Sequence, residues 1–99
     1  MYVYIRSEPG LRTVGQYWDN GKFEPESDHD DPEAAAREVH NLNADLLARE
    51  EVSPAWISKK TEPTLWTVGF HKPDGKWEPE SDHGSPAEAN RRAGWLNGY

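Results

Sequence analysis

Residues Gly21 to His29 read Gly-Lys-Phe-Glu-Pro-Glu-Ser-Asp-His, and the stretch returns at Gly75 to His83 as Gly-Lys-Trp-Glu-Pro-Glu-Ser-Asp-His. Eight of the nine positions are identical, and the ninth exchanges one aromatic ring for another. Extended outward, a constant offset of 54 aligns the two halves without a gap, and 19 of the 44 pairs that start at positions 2 to 45 are identical. Among the aligned pairs are Leu11 and Leu65, Val14 and Val68, Gly15 and Gly69, and Asn43 and Asn97. Internal repetition of this kind decides the fold before any local reading does. Two copies are too few for a solenoid, so the expectation is a duplicated unit with internal pseudo-two-fold symmetry, a single-chain version of an isologous dimer.

Each copy is about 45 residues, near the size at which a core no longer offsets chain entropy without a staple. The chain has no cysteine, so neither a disulfide nor a thiolate metal site is available. The copies are therefore expected to share one core, as a single domain of residues 1–99 built from repeats 2–45 and 56–99 with a connector at 46–55. Hydrophobic residues make up only 34%, but five tryptophans, four tyrosines and two phenylalanines supply large rings that bury much area each.

Within each copy the local signals repeat. Tyr2 to Ile5 is aromatic and β-branched and reads as a strand, and Ser7-Glu8-Pro9-Gly10 as a turn. Leu11 to Trp18 reads as a second strand, with Gly15 inside it as a mark of close backbone approach, here by a crossing helix. Asp19-Asn20-Gly21, and Pro73-Asp74-Gly75 in the second copy, are hairpin signals. A short third strand runs from Lys22 to about Glu26, with Phe23, Pro25 and Ser27 on one side and Lys22, Glu24, Glu26 and Asp28 on the other. Pro25 lacks a donor and places this strand at an edge.

A helix then opens at Asp30 or Asp31 with Pro32, and at Ser85-Pro86 with Glu88 placed for a capping box. Ala35, Val39, Leu42 and Leu46 form the apolar stripe of the first helix, matched by Ala89, Ala93 and Leu96. The first helix is expected to run to about Glu51, ahead of Ser53-Pro54, and the second to stop at Asn97-Gly98. The order β-β-β-α, connector, β-β-β-α defines an α+β fold: either two three-stranded antiparallel sheets or one longer sheet, with two helices packed on them.

This tandem β-β-β-α order, with a glycine hairpin before the third strand and an Ala-rich helix after it, resembles the small bacterial YegP-like proteins. Those proteins also carry two such units in one chain. The resemblance implies the fold and a bacterial or phage setting. It carries over no catalytic residue. The helix openings here are Asp31-Pro32 and Ser85-Pro86, where a Ser-Lys pattern is associated with that family.

A net charge of −7 disfavours a phosphate-tracking surface and anionic membranes, because nucleic-acid affinity depends on basic side chains displacing counterions. No apolar run approaches transmembrane length, and the N-terminus lacks the pattern of a signal peptide. A cytoplasmic, monomeric protein is expected, with a dimer as the alternative. No nucleophile elbow, phosphate-cradling loop or His-Glu-x-x-His is present, so the chain reads as non-enzymatic and without a cofactor.

Two sets of side chains stand out. Glu26, Asp28 and His29, repeated as Glu80, Asp82 and His83 and preceded by Glu24 and Glu78, have the oxygen and nitrogen donors of a metal site. The competing structural reading is that Ser27, Asp28 and His29 bond the backbone of a strand-to-helix corner. That reading is favoured, because a corner needed by both copies would be kept in both. The second set is aromatic and unshared. Tyr17, Trp18, Trp66 and Phe70 correspond to His71, Lys72, Arg12 and Gln16, so they are candidates for a surface patch that recognises a protein partner. The leading expectation is thus a small non-catalytic binding module. The alternatives are an acidic decoy for a nucleic-acid-binding protein and a protein with two equivalent metal sites.

Overall fold

The computed structural model describes residues 1–50 and 54–99. Each half forms three strands and a helix, in the expected order. The first comprises β1 (Val3–Glu8), β2 (Leu11–Tyr17), β3 (Phe23–His29) and α1 (Pro32–Ala48); the second comprises β4 (Ile57–Glu62), β5 (Leu65–His71), β6 (Trp77–His83) and α2 (Pro86–Leu96). The strands make two separate antiparallel sheets, ordered β1-β2-β3 and β4-β5-β6, which resolves the choice left open by the sequence. Each helix packs on its own sheet, and the helices touch each other. No helix among the described residues is long and apolar enough to cross a membrane.

The registers of the two sheets agree at the 54-residue offset. Val3 pairs with Gly15 as Ile57 pairs with Gly69, and Gly15 pairs with Pro25 as Gly69 pairs with Pro79. Both hairpins into the third strand use glycine at positive φ, Gly21 at 86° and Gly75 at 87°. The preceding side chain, Asn20 or Asp74, accepts the N–H of Lys22 or Lys76 at 2.9 Å in each case. Asn and Asp are interchangeable there because only a side-chain oxygen is required.

The third strand is longer than expected. Val14 pairs with Ser27 but Gly15 pairs with Pro25, so Glu26 is an extra residue, a β-bulge, and the ladder resumes through Ser27, Asp28 and His29. The bulge also corrects the predicted alternation. Phe23, Pro25 and Asp28 lie opposite Tyr17, Gly15 and Thr13 on one face, whereas Glu24, Ser27 and His29 lie opposite Gln16, Val14 and Arg12 on the other. Glu80 is the equivalent bulge in β6. Pro25 and Pro79 sit on edge strands, as expected.

The glycine inside β2 serves a different contact from the one predicted. A Cβ on Gly15 would run into the Glu24 carbonyl oxygen and the Phe23 ring of β3, and one on Gly69 into the Glu78 carbonyl and the Trp77 ring. The close approach comes from the neighbouring strand at its bulge, and not from a crossing helix.

Helix starts follow the sequence. Asp31 accepts the Glu33 N–H at 3.1 Å and Ser85 accepts the Glu88 N–H at 3.2 Å. Helix α1 stops at Ala48, earlier than expected, where the Arg49 N–H bonds back to Asp45 and Glu50 adopts φ 58°. Of the connector predicted at 46–55, residues 51–53 lie outside the described residues. Helix α2 ends at Leu96 with Asn97 as its cap and Gly98 at φ 99°. The helices meet where His40 stacks on Trp95, ring centroids 4.6 Å apart, and where Gly98 abuts the backbone of Asn43 and Ala44.

Buried side chains of both halves belong to one cluster that includes Val3, Val14, Val39, Trp56, Val68, Phe70 and Leu96. Two asparagines tie the residues ahead of β1 and β4 into it. Asn43, wholly buried in α1, accepts the Tyr2 N–H at 2.7 Å and donates to the Tyr2 carbonyl at 3.0 Å. Asn97 does the same for Trp56, at 2.9 Å in both directions. Two further bonds cross between the halves. Asn43 donates to the Leu96 carbonyl at 2.8 Å, and the Trp56 indole N–H donates to the Tyr2 carbonyl at 3.2 Å.

Two glycine substitutions have opposite expected signs. Gly15→Ala forces the β3 backbone aside and destabilises by about 1–3 kcal/mol. Gly94→Ala, within α2 with nothing near its missing Cβ, stabilises by about 0.5–1 kcal/mol. Equilibrium denaturation of both variants checks the pair, and an unchanged midpoint for Gly15→Ala would contradict the bulge packing.

Candidate functional site

The repeated Ser-Asp-His motif lies on the last residues of β3 and β6, and its side chains make the same bonds twice. A first bulge, at Ser7 and Thr61, brings a hydroxyl against Thr13 at 2.8 Å and against Thr67 at 2.9 Å. Those buried threonines donate onward to Asp28 and Asp82, each at 2.7 Å. Hydroxyl, hydroxyl and carboxylate thus form a chain across all three strands. On the opposite face Ser27 meets His29 Nε2 at 2.9 Å and Ser81 meets His83 Nε2 at 2.8 Å. The motif's partners are side chains of its own strand and of the neighbouring strand, and not the backbone of a strand-to-helix corner.

This arrangement separates the predicted metal donors. Asp28 and His29 are successive residues on a strand, so they project to opposite faces, and so do Asp82 and His83. Glu26 is exposed at its bulge, while Glu80 is turned inward and engaged elsewhere. Among the described residues no group of three or more histidine, aspartate and glutamate side chains gathers as a metal site would require.

Glu80 is the centre of a buried ionic network that the sequence did not reveal. Arg92 of α2 grips its carboxylate with both ends of the guanidinium, Nε at 3.1 Å and Nη2 at 2.5 Å, a fork geometry that favours Arg over Lys. The Tyr4 hydroxyl of β1 donates to the same carboxylate at 2.5 Å, joining the first sheet to the second. Glu33, exposed on α1, reaches the outer edge of Arg92 at 3.1 Å. Burial pushes the Glu80 carboxyl up, but hydrogen bonds from Arg92, Ser81 and Tyr4 together outweigh it and hold the group below its ordinary range. Burial, then the neighbouring Glu80 charge, pushes the Tyr4 phenol well above its ordinary value. The counterparts of Tyr4 and Arg92 are Ser58 and Glu38, so Glu26 has no equivalent partners.

The four aromatic candidates fall in two places. Tyr17, Trp18 and Phe70 line one groove of about 410 Å³ at the junction of the two halves. Phe70 is 2% exposed and forms its floor, which corrects the expectation of a surface ring: its ring packs edge-on to Trp56 at 5.1 Å. Tyr17 lies between Phe23 and Phe70, at centroid distances of 4.9 and 6.3 Å. Trp18 is the open element at 48% exposure, and its indole N–H donates to the exposed Glu24 at 2.6 Å. Pro54, Ala55 and Pro73 add apolar wall, and Asp19 and His71 add polar groups. Trp66 is elsewhere, half-buried against the core with the Lys60 ammonium 5.7 Å from its ring centroid.

Comparison with protein-family models, curated proteins and solved structures finds no match for this chain.

The Glu80 network yields a paired prediction. Glu80→Gln weakens the buried pair with Arg92 and destabilises by on the order of 3 kcal/mol, as breaking buried ion pairs does. Glu26→Gln at the exposed counterpart changes stability by less than about 0.5 kcal/mol. Because folding depresses the Glu80 pKa, its contribution is full above the ordinary glutamate range and is lost as pH falls through the folded value. Folding raises the Tyr4 pKa, so that contribution is full below about pH 10 and declines as pH rises beyond it. Denaturation midpoints across pH check both signs, and equal losses for the two glutamate variants would count against the network.

Proposed function

We propose that this chain is a non-catalytic binding module that takes a protein partner in the groove at the junction of its two repeats. The observation that carries the reading is the aromatic pair at the groove's mouth. Trp18 donates to Glu24, and Tyr17 lies between rings on either side. Rings with few rotatable bonds lose little freedom on binding, and Trp and Tyr are among the residues that most often anchor interfaces. Nearly half of Trp18 is open to solvent, beside apolar wall from Pro54, Ala55 and Pro73.

The partner segment that suits this groove is extended and carries an apolar or proline side chain flanked by Lys or Arg. Aromatic-lined grooves accept such segments because an extended, proline-containing chain loses little entropy on docking. The flanking basic residues follow from the net charge of −7 and from Asp19 in the groove wall. Duplication supplies the groove's two sides. Tyr17 and His71 occupy equivalent positions, as do Asp19 and Pro73, so a pseudo-two-fold arrangement followed by divergence would make a site from a once-symmetric junction.

Titration of the labelled protein with short Lys- and Arg-flanked proline and aromatic peptides tests this reading by amide chemical shifts. Saturable shifts at Tyr17, Trp18, Ala55 and His71 are expected, with affinity at least tenfold weaker in Trp18→Ala and thermal stability unchanged. Shifts confined to other surfaces, or equal binding by Trp18→Ala, would contradict it.

A further inference from the structure

A second pocket, which shares only Phe70 with the aromatic groove, lies between the first sheet and β6 and has a volume of about 200 Å³. Arg6 of β1 and Arg12 of β2 line it, and they are direct cross-strand partners. Like charges placed opposite each other on a sheet repel. The same position in the second half is filled differently: Lys60 pairs with Trp66, and the ammonium lies over the ring. One copy thus pairs a cation with an aromatic face, a favourable contact, while the other pairs two cations.

Neither Arg6 nor Arg12 has a carboxylate within 4.0 Å among the described residues. The two glutamates that border the pocket are already matched by cations of their own, Glu78 by Lys72 at 3.1 Å and Glu80 by Arg92. The pocket thus holds two guanidinium groups with no ion-pair partner among the described residues, in a chain whose net charge is −7. The fork of N–H donors on a guanidinium matches the paired oxygens of a carboxylate or phosphate. The Tyr4 hydroxyl is committed to Glu80, so selectivity for an anion falls to the arginines. The rings of Trp56 and Phe70 supply apolar lining. The volume is below the roughly 300 Å³ at which drug-sized ligands begin to fit, which restricts the occupant to a small molecule.

We propose that Arg6 and Arg12 form an anion-binding site in this pocket for a small oxyanion carrying a compact ring, a carboxylate or phosphate monoester. The oxyanion lies between the two guanidinium groups and the ring lies toward Trp56 and Phe70. Bound there, it converts the repulsion between the arginines into a pair of charge-assisted contacts.

Phenyl phosphate and benzoate, each titrated at constant ionic strength, test the site and distinguish the two oxyanions. The expected result is saturable amide shifts at Arg6, Arg12 and Tyr4 with at least one probe. Affinity should fall at least tenfold in Arg12→Gln and in Arg6→Gln, and should be unchanged in Lys60→Gln. Both arginine positions border solvent, so the variants are expected to fold, and circular dichroism verifies it. Absence of saturation with both probes at millimolar concentration would overturn the proposal. So would binding by the folded Arg6→Gln and Arg12→Gln variants that matches the parent chain.

Discussion

A carboxamide that meets both the N–H and the C=O of one residue replaces the neighbouring strand that residue lacks. Asn43 and Asn97 do this for Tyr2 and Trp56, the residues immediately before β1 and β4. Leaving such groups buried and unpaired costs about 1–3 kcal/mol each, so few other side chains could stand in these positions. The Tyr2 carbonyl also accepts the Trp56 indole, and Asn43 also holds the end of α2. One buried patch of amides therefore fixes where each helix sits on its sheet and how the halves meet. Gly98 completes it, because a Cβ there would strike the α1 backbone 2.5 Å away.

The bulge at Glu26 and Glu80 is the second constraint. Once each sheet is held against its helix, the extra residue decides which polar side chains face where. It aims Asp28 and Asp82 at the threonine hydroxyls and sets His29 and His83 on the opposite face, beside serine. It also leaves the glutamate itself free of the ladder. In the second half that glutamate is recruited by Arg92 and Tyr4; in the first it is exposed. One duplicated backbone device thus gives a buried ionic tie in one copy and a solvated side chain in the other. The two sheets differ likewise at another pair of equivalent positions, a lysine over a tryptophan in one and two facing arginines in the other.

Much of this architecture was legible because it repeats. Element order, the hairpin glycines, both helix caps and the edge position of Pro25 follow from residues whose local chemistry has few alternatives. The bulge was not legible, since strict alternation through Phe23, Pro25 and Ser27 fits an unbroken strand equally well, and only the pairing with β2 reveals the extra residue. The end of α1 was missed because Glu50 adopts a left-handed conformation usually left to glycine. Phe70 was placed on the surface because its counterpart is Gln16, and comparing copies cannot tell an unshared core ring from an unshared surface ring. Asn43 and Asn97 did carry a signal: a polar residue retained in both copies next to the apolar stripe of each helix. Arg92 carried none, since its partner Glu80 sits in a motif whose other copy has no use for an arginine.

If the two asparagine brackets make both halves one cooperative unit, native-state hydrogen exchange of the Tyr2 and Trp56 amides reports it. An amide that lies ahead of a strand and outside its ladder ordinarily exchanges freely. The account predicts that both amides exchange only through global unfolding, with the same free energy as the core amides of Val14 and Val68. Fast exchange at Tyr2, or two distinct opening free energies for the two halves, would contradict it.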